Sequence, residues 1–278
     1  MSSLSTQALH RRAQQWLTEG RRAMLVTVIS SKGSTPRDVG THMLVAVDEV
    51  QGTVGGGHLE WLAIDLAQQA MTESLPAMPA NWQRTFPLGP ALGQCCGGIV
   101  TLHFAALSDT AMSAWPQPHS DFHIELHGAG HVGQAIIKLL RDLDCTVRWI
   151  DMRESARRDL PPHITWLPSD TPEYEVKQAP PDAYHLVLTH RHDLDLRIIE
   201  AVLRRGDAAF AGLIGSQTKR ASFLHKLERK GLSPTQLDQL TCPIGIPGLS
   251  DKAPAVIAIA TVAQLLQHHL NKPTPTSA

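Results

Sequence analysis

The sequence of 278 residues carries little excess charge, with a formal net charge of −1 and an isoelectric point near 6.9. Lysine and arginine are spread along the chain and form only short clusters. A protein that binds the phosphates of nucleic acid or an anionic membrane surface needs a concentrated basic face. We therefore expect no nucleic acid and no membrane among its partners.

Long apolar runs and cysteines are also scarce. The longest apolar stretch, Ala255–Ala260 with its neighbours, is far shorter than the roughly 20 residues that span a bilayer. Residues 1–12 lack the apolar core of a signal peptide, so we expect a cytoplasmic protein. Its four cysteines are then expected to be thiols, because the cytosol keeps cysteines reduced.

The apolar content is sufficient for buried cores, and the chain is long enough for two domains. Apolar residues make up 42% of the sequence. Residues 108–120 contain two prolines, several small polar residues and no apolar periodicity, a composition typical of a linker. We predict a first domain over residues 1–107, this linker, and a second domain over residues 121–278.

Strands and helices alternate after the linker. We predict strands at 122–126, 146–150, 183–188 and 208–214, and helices at 132–143 and 194–204. This alternation is typical of an α/β, Rossmann-like, doubly wound parallel sheet. In the smaller first domain we predict strands at 24–29, 43–47 and 99–104 and a helix at 59–70, which indicates an α+β domain.

The segment 128–133, GAGHVG, matches the G-x-G-x-x-G pattern between a predicted strand and a predicted helix. In a dinucleotide-binding fold such glycines permit a tight turn, a close approach of pyrophosphate, and close packing of helix on strand. The same glycines are also compatible with a simple strand-to-helix turn. The expected nucleotide contacts are Gly128, Gly130, His131 and Gly133.

Asp151 lies 23 residues after Gly128, at the end of the second predicted strand. A carboxylate in this position accepts hydrogen bonds from the ribose hydroxyls of a bound nucleotide. It would repel a 2′-phosphate, although the nearby Arg153 weakens that argument. The ligand is therefore NAD, ATP or another nucleotide, and binding one does not by itself imply hydride transfer.

Three glycine-rich loops occur in the first domain: GSTPR at 33–37, GGGHLE at 55–60 and GQCCGG at 93–98. Glycine runs are kept where the backbone needs positive φ or a close approach, and a run before a helix forms an anion site. Thiols between glycines are accessible. Any single loop is equally compatible with a turn that only joins strands.

Seven motifs occur in order over about residues 24–266: GSTPR, GTVGGGHLE, LGQCCGG, GAGHVG, THRHDLD, GLIGSQTKR and CPIG. The series resembles the XdhC/CoxI family of xanthine dehydrogenase accessory proteins. The resemblance implies a chaperone, rather than an enzyme, that binds the molybdenum cofactor (molybdopterin). It also implies that the chain supports the cofactor's sulfuration by a cysteine desulfurase and inserts it into apo-xanthine dehydrogenase or a related molybdenum hydroxylase.

The resemblance also implies that Cys96, with Cys95 beside it, lies at the cofactor site, and Cys96 is the candidate molybdenum contact. Soft thiolates suit such a metal centre, and glycine-rich helix starts suit the phosphate of the pterin. The remaining candidate contacts in the first domain are Arg37, Gly55, Gly56 and Gly57. Which cysteine contacts molybdenum or carries sulfur stays open, as does the choice between the mononucleotide and dinucleotide forms of the cofactor.

Two further motifs follow strands at the expected carboxyl edge of the second sheet, where ligands bind in doubly wound folds. THRHDLD at 189–195 contributes His190 as a nucleotide contact, with a metal site as an alternative and Asp193 as a helix cap in the simplest interpretation. GSQTKR at 215–220 contributes Ser216, as a phosphate contact or as a helix cap.

Two other functions compete with the chaperone. An NAD-dependent oxidoreductase would use the Rossmann site with residues 190–195 as acid and base, but no full catalytic constellation is visible. A pure adaptor between desulfurase and hydroxylase would need neither the thiols nor the glycine loops. A homodimer is the default expectation for the assembly.

Overall fold

The computed structural model describes residues 5–72, 81–88, 97–115, 120, 122–154, 160–249 and 251–272. The chain divides into two compact units, Met1–His119 and Ser120–Ala278. In the described part of the chain, no helix combines the length and apolar character needed to cross a membrane.

The first unit contains an antiparallel five-stranded sheet with the order β3-β2-β1-β5-β4. Its strands are β1 (Ala23–Lys32), β2 (His42–Ala46), β3 (Val50–Gly52), β4 (Asn81–Pro87) and β5 (Ile99–Ala106). Its helices are α1 (Thr6–Thr18), α2 (Gly57–Thr72) and α3 (Asp109–Ala114). The predicted smaller α+β domain is confirmed.

Helices cover both faces of this sheet because the side chains of a strand alternate between its two faces. On one face Val26, Val45 and Phe104 pack against α2. On the other face Leu25 and Leu44 pack with residues of α1 and α3. Each fully buried aliphatic side chain contributes about 2 kcal/mol, so the alternating pattern holds the helices on the sheet.

The segment predicted to be a linker contains helix α3 and therefore differs from an irregular connection at residues 109–114. The Ser108 hydroxyl caps this helix by accepting a hydrogen bond from the amide of Ala111 at 3.2 Å. Ala111 and Trp115 are buried in the cluster that includes α1. Because these two side chains are buried against the first unit, the segment forms a helix there despite its polar composition.

The second unit contains a parallel six-stranded sheet with the order β11-β10-β9-β6-β7-β8. Its strands are β6 (His123–His127), β7 (Thr146–Asp151), β8 (Ile164–Pro168), β9 (Tyr184–Val187), β10 (Phe210–Leu213) and β11 (Leu240–Thr241). Its helices are α4 (His131–Leu140), α5 (Pro172–Glu175), α6 (His192–Arg205), α7 (Gln217–Arg229), α8 (Pro234–Asp238) and α9 (Pro254–Leu270), with a 3₁₀ helix at Val176–Gln178.

Counted along this unit, the strands follow the spatial order 3-2-1-4-5-6, which is that of dinucleotide-binding Rossmann folds. Leu126 and Leu186 pack with α4 and α9 on one face, and Val187 and Leu213 pack with α6 and α7 on the other. The predicted doubly wound parallel sheet is confirmed. Its strand order reverses between β6 and β9, which is where such sheets bind ligands.

The face of β6 and β9 that lies toward α6 carries buried polar residues. His127 and His185 are both buried, with ring centroids 5.8 Å apart. Neither ring nitrogen of His127 has a hydrogen-bond partner among the described residues. Burial is the main cause that lowers the pKa of both rings, to about 3 for His185. Both imidazoles are therefore neutral near pH 7.

Candidate functional site

The loop at 33–37 in the first unit contacts both other glycine-rich loops. A Cβ atom added to Gly98 would lie 2.5 Å from the carbonyl oxygen of Ser34, and one added to Gly55 would overlap the ring of Pro36. Only glycine allows these approaches. The structure thus brings together loops that are about 20 and 60 residues apart along the chain, as expected for one shared site.

Cys95 and Cys96 lie outside the described residues, and so does Gly93. The described chain resumes at Gly97, which is exposed, and Gly98, which is buried against Ser34. Among the described residues, a Cβ atom at Gly97 would meet nothing within 4 Å, and the same holds for Gly56. Within the three loops, these two glycines are the described positions at which no described atom opposes a side chain.

The glycine run before α2 already holds an internal anion. Glu60, in the first turn of that helix, accepts hydrogen bonds from the amides of Val54 and Gly56, both at 3.1 Å, and from the hydroxyl of Thr53. Of the two residues that supply these amides, Gly56 was expected to contact a phosphate. Because the Glu60 carboxylate occupies both amides, an anion at this helix start would have to use other donors.

Arg37 is exposed and lines a small polar pocket of about 260 Å³ together with His42 and Thr53. Among the described residues it forms no ion pair, so its guanidinium is available to an anion. His42 stacks on Trp115 at 4.2 Å between ring centroids. Burial, with a contribution from His10, lowers the pKa of His42 to about 4, so it is neutral near pH 7. No motif in the sequence points to His42.

The glycine loop of the second unit has the three roles expected of a dinucleotide-binding turn. Gly128 has a φ of +117°, and a Cβ atom there would lie 2.5 Å from the carbonyl oxygen of Leu188. A Cβ atom at Gly133 would overlap the carbonyl of Gly128, whereas one at Gly130 would meet nothing within 4 Å. Among the described residues, Gly130 is thus the position of this turn with space beside the backbone, where a dinucleotide-binding fold places the pyrophosphate.

Gly130 is also the N-cap of α4 and provides no side-chain cap. The amides of the first turn of a helix have no partners within that helix, and together with the helix dipole they attract phosphate. His131, the first residue of α4, is exposed beside these amides. The described residues therefore fit a nucleotide at this turn.

Asp151 ends β7 and is only 8% exposed. Its Oδ2 accepts hydrogen bonds from the Ala129 amide at 2.7 Å and from Nη2 of Arg153 at 2.9 Å. Its Oδ1 accepts from the Arg153 amide at 3.0 Å and from Nε of Arg153 at 2.6 Å. Burial alone would raise the pKa of Asp151, but the bonds from Arg153 and Ala129 hold it below its ordinary value.

His190, in the loop after β9, is exposed, while Asp195 of the same motif is fully buried. Asp193 does not cap α6, because the N-cap is Arg191 and Asp193 pairs with that arginine at 2.6 Å. Within the described ranges, no three His, Cys, Asp or Glu residues are grouped as a metal site would require. The metal alternative for this motif finds no support there.

Ser216 is the N-cap of α7 and accepts a hydrogen bond from the Lys219 amide at 3.2 Å. The Lys219 ammonium donates to Oδ2 of Asp195 at 2.7 Å and to the carbonyl of Ile214 at 2.9 Å. The motifs at 189–195 and 215–220 are therefore joined by a buried ion pair. Sequence reasoning does not identify this pair, because its partners are 24 residues apart.

A cavity of about 690 Å³ lies past the ends of β10 and β11, where the motif CPIG lines it with Gly215 and Arg220. It opens at the same carboxyl edge of the sheet as the glycine turn, over the fifth and sixth strands. Burial is the main cause that raises the pKa of Cys242, so this thiol stays protonated near pH 7. The motif CPIG thus forms part of the wall of this cavity.

The fold and the glycine turn define a protein with a Rossmann unit preceded by a smaller antiparallel α+β unit. Residues 124–265 match the family profile described as the XdhC Rossmann domain, and residues 16–78 match that of the XdhC and CoxI family. The chain belongs to the XdhC and CoxI family.

Two similar proteins extend this comparison. The chain is 29% identical over 256 residues to the Escherichia coli (strain K12) protein named "Uncharacterized protein YqeB", covering 90% of this chain and 44% of that protein. The chain thus spans less than half the length of that relative. A crystal structure described as a xanthine dehydrogenase from Bacillus halodurans superposes with a TM-score of 0.76, at 17% identity, over 96% of this chain and 97% of that one. This likeness shows the fold.

Proposed function

We propose that the chain is a chaperone that binds the molybdenum cofactor, holds it for sulfuration by a cysteine desulfurase and delivers it to an apo-hydroxylase of the xanthine dehydrogenase type. The observation that carries this proposal is the meeting of loops in the first unit, where residues 33–37 contact Gly55 and Gly98. The paired cysteines directly precede the Gly97–Gly98 end of this cluster. Membership of the XdhC and CoxI family supports the same role.

The residues of the first unit suit different parts of such a ligand. The thiolate of Cys96, with Cys95 beside it, provides the soft donor that a dithiolene-bound molybdenum accepts. The exposed guanidinium of Arg37 suits the phosphate of the pterin, because arginine binds phosphate with charge-assisted hydrogen bonds. Among the described residues, no atom lies within 4 Å of a Cβ atom added at Gly97, which is compatible with close approach of a ligand to the backbone there. When bound, the cofactor supplies the redox-active metal, and the chain supplies its protection and orientation.

The Rossmann unit has a separate part in the proposal, namely to bind a nucleotide. The space beside Gly130 and the uncapped start of α4 support this part. The nucleotide is either that of a dinucleotide form of the cofactor or a separate molecule. Binding is sufficient for this part, and no hydride transfer is proposed, because a nucleotide site does not by itself imply a reaction.

The direct test is anaerobic binding of the molybdenum cofactor, with molybdenum counted per chain. We expect near-stoichiometric molybdenum in the wild type and its loss in Cys96→Ala. Cys145→Ala is the matched control, because Cys145 is buried in the second unit and burial raises its pKa to about 12. Absence of retained molybdenum in the wild type would overturn the chaperone proposal, and steady turnover of a nicotinamide nucleotide would favour an oxidoreductase instead.

A further inference from the structure

The carboxylate of Asp151 has no acceptor site left for a ribose. Arg153 and the Ala129 amide supply four hydrogen-bond donors to its two oxygens, two to each. The carboxylate is 8% exposed, whereas the Arg153 side chain is 52% exposed. The group that a ligand meets at the end of β7 is therefore the guanidinium and not the carboxylate.

The fork from Arg153 to Asp151 leaves part of the guanidinium free. Of the five N–H donors of an arginine side chain, Nε–H and one Nη2–H are used by Asp151, which leaves three. Among the described residues, Asp151 is the one carboxylate that pairs with Arg153. The remaining donors are thus available to an anion without breaking the pair with Asp151.

Separating Arg153 from Asp151 would also cost free energy. Removing Arg153 would leave a largely buried carboxylate with the Ala129 amide as its one remaining donor outside residue 153. A buried charge that loses its partner is destabilised. A ribose with a free 2′-hydroxyl gains little here, because it would have to displace Arg153 to reach Asp151. A 2′-phosphate gains charge-assisted hydrogen bonds while Arg153 stays in place.

We propose that Arg153 is a specificity-determining residue that makes the Rossmann unit select a nucleotide with a 2′-phosphorylated ribose over one with a free 2′-hydroxyl. This inference rests on the proposed nucleotide binding by the Rossmann unit. It reverses the expectation from the sequence alone, in which Asp151 repels a 2′-phosphate.

The test is isothermal titration calorimetry on the full chain with NADP⁺ and NAD⁺, and with the smaller pair adenosine 2′,5′-bisphosphate and 5′-AMP. We expect the wild type to bind the 2′-phosphorylated member of each pair at least about tenfold more tightly, as charge-assisted bonds imply. In Arg153→Gln this ratio falls to about one, because the variant has no charge to offer the phosphate. The preference should also weaken as salt concentration rises.

Arg204→Gln is the matched control. Arg204 is 47% exposed and binds Glu200 through Nε and Nη2, so it resembles Arg153 in exposure and pairing but lies on α6. This variant should keep the wild-type ratio. Arg153→Lys serves if Arg153→Gln does not fold, because it keeps the charge but not the fork, and an intermediate ratio is expected.

A wild type that binds NAD⁺ as tightly as NADP⁺, or an unchanged ratio in the Arg153 variants, would overturn the inference. Absence of binding by all four nucleotides would overturn this inference, whereas the nucleotide part of the proposed function would fail only if the dinucleotide form of the cofactor did not bind either. Retention of molybdenum by the first unit is measured independently, so its outcome is distinguishable from all of these.

Discussion

The carboxylate of Asp195 and the ammonium of Lys219 are 2.7 Å apart in the interior of the Rossmann unit. Asp195 is fully buried and the Lys219 side chain is 11% exposed. Asp195 also accepts hydrogen bonds from the amide and the hydroxyl of Thr189. The ion pair therefore fixes the loop after β9 to the start of α7, at the edge of the sheet that carries the glycine turn.

Removing one partner of this pair should be strongly destabilising. We expect Lys219→Met to lower the free energy of unfolding by about 3 kcal/mol, because it leaves the Asp195 charge buried without a cation. Urea unfolding followed by circular dichroism measures the change. Lys230→Met is the control, since Lys230 pairs with Glu200 at the surface and should cost less than about 1 kcal/mol. Equal effects of the two substitutions would contradict the structural role of the pair.

The buried histidines of the Rossmann sheet predict that acid destabilises the protein well above the range in which carboxylates titrate. Burial lowers the folded-state pKa of His185 to about 3, from an ordinary value of 6.5, and lowers that of His127 as well. The unfolded chain thus binds more protons, so stability is fully present above pH 6.5 and is lost as pH falls toward the folded pKa.

The free energy of unfolding should fall by about 2 kcal/mol per buried histidine between pH 6.5 and pH 5. Urea titrations at these two values of pH measure it. His127→Leu should reduce this pH dependence of stability by about the amount that one histidine contributes. The substitution also removes two ring nitrogens that lack partners among the described residues. A stability that is constant over this interval would show that the rings are not buried as neutral groups.

Adjacent glycines in the first unit predict opposite results. In Gly98→Ala the new Cβ atom would lie 2.5 Å from the carbonyl oxygen of Ser34 and 2.6 Å from that of Lys32, both backbone atoms. We expect a loss of about 2 kcal/mol, as in other overpacked sites. Among the described residues, Gly97→Ala meets nothing within 4 Å and should change stability by less than about 0.5 kcal/mol. Thermal unfolding of both variants tests the contact between the loops. Equal stability of Gly98→Ala and Gly97→Ala would contradict that contact.

Substitutions at two glycines of the nucleotide turn should affect stability and nucleotide binding differently. Gly130→Ala should keep the stability of the wild type, because the added Cβ atom points into open space. It should weaken nucleotide binding by about tenfold or more, since it fills the space expected to hold pyrophosphate. Gly128→Ala should instead destabilise the unit, because a φ of +117° and the carbonyl of Leu188 both oppose a side chain. Calorimetric titration with NADP⁺ and thermal unfolding distinguish the two effects, and unchanged affinity in Gly130→Ala would remove Gly130 from the proposed site.

The central strands of the Rossmann sheet could be predicted from the sequence, whereas its edge strands and the helices α1, α7 and α9 were not among the predicted elements. Strands β6, β7, β9 and β10 lie in the middle of the sheet and are largely buried, and each carries the apolar residues from which it was predicted. The pattern does not predict β8, the edge strand, whose residues are partly exposed and end in Pro168. It does not predict β11 either, which has two residues and owes its position to pairing with β10.

The sequence by itself determined the glycine turn at Gly128, Gly130 and Gly133, because a sharp strand-to-helix turn imposes local backbone requirements that glycine meets. Only the tertiary structure decided which side chains serve that turn. The partners of Asp151 there are Arg153 and the distant Ala129 amide. In the first unit, packing likewise places Glu60 on the amides of Val54 and Gly56. A backbone preference acts between neighbours along the chain, whereas the partner of a buried charge depends on which donors the packing brings within about 3 Å.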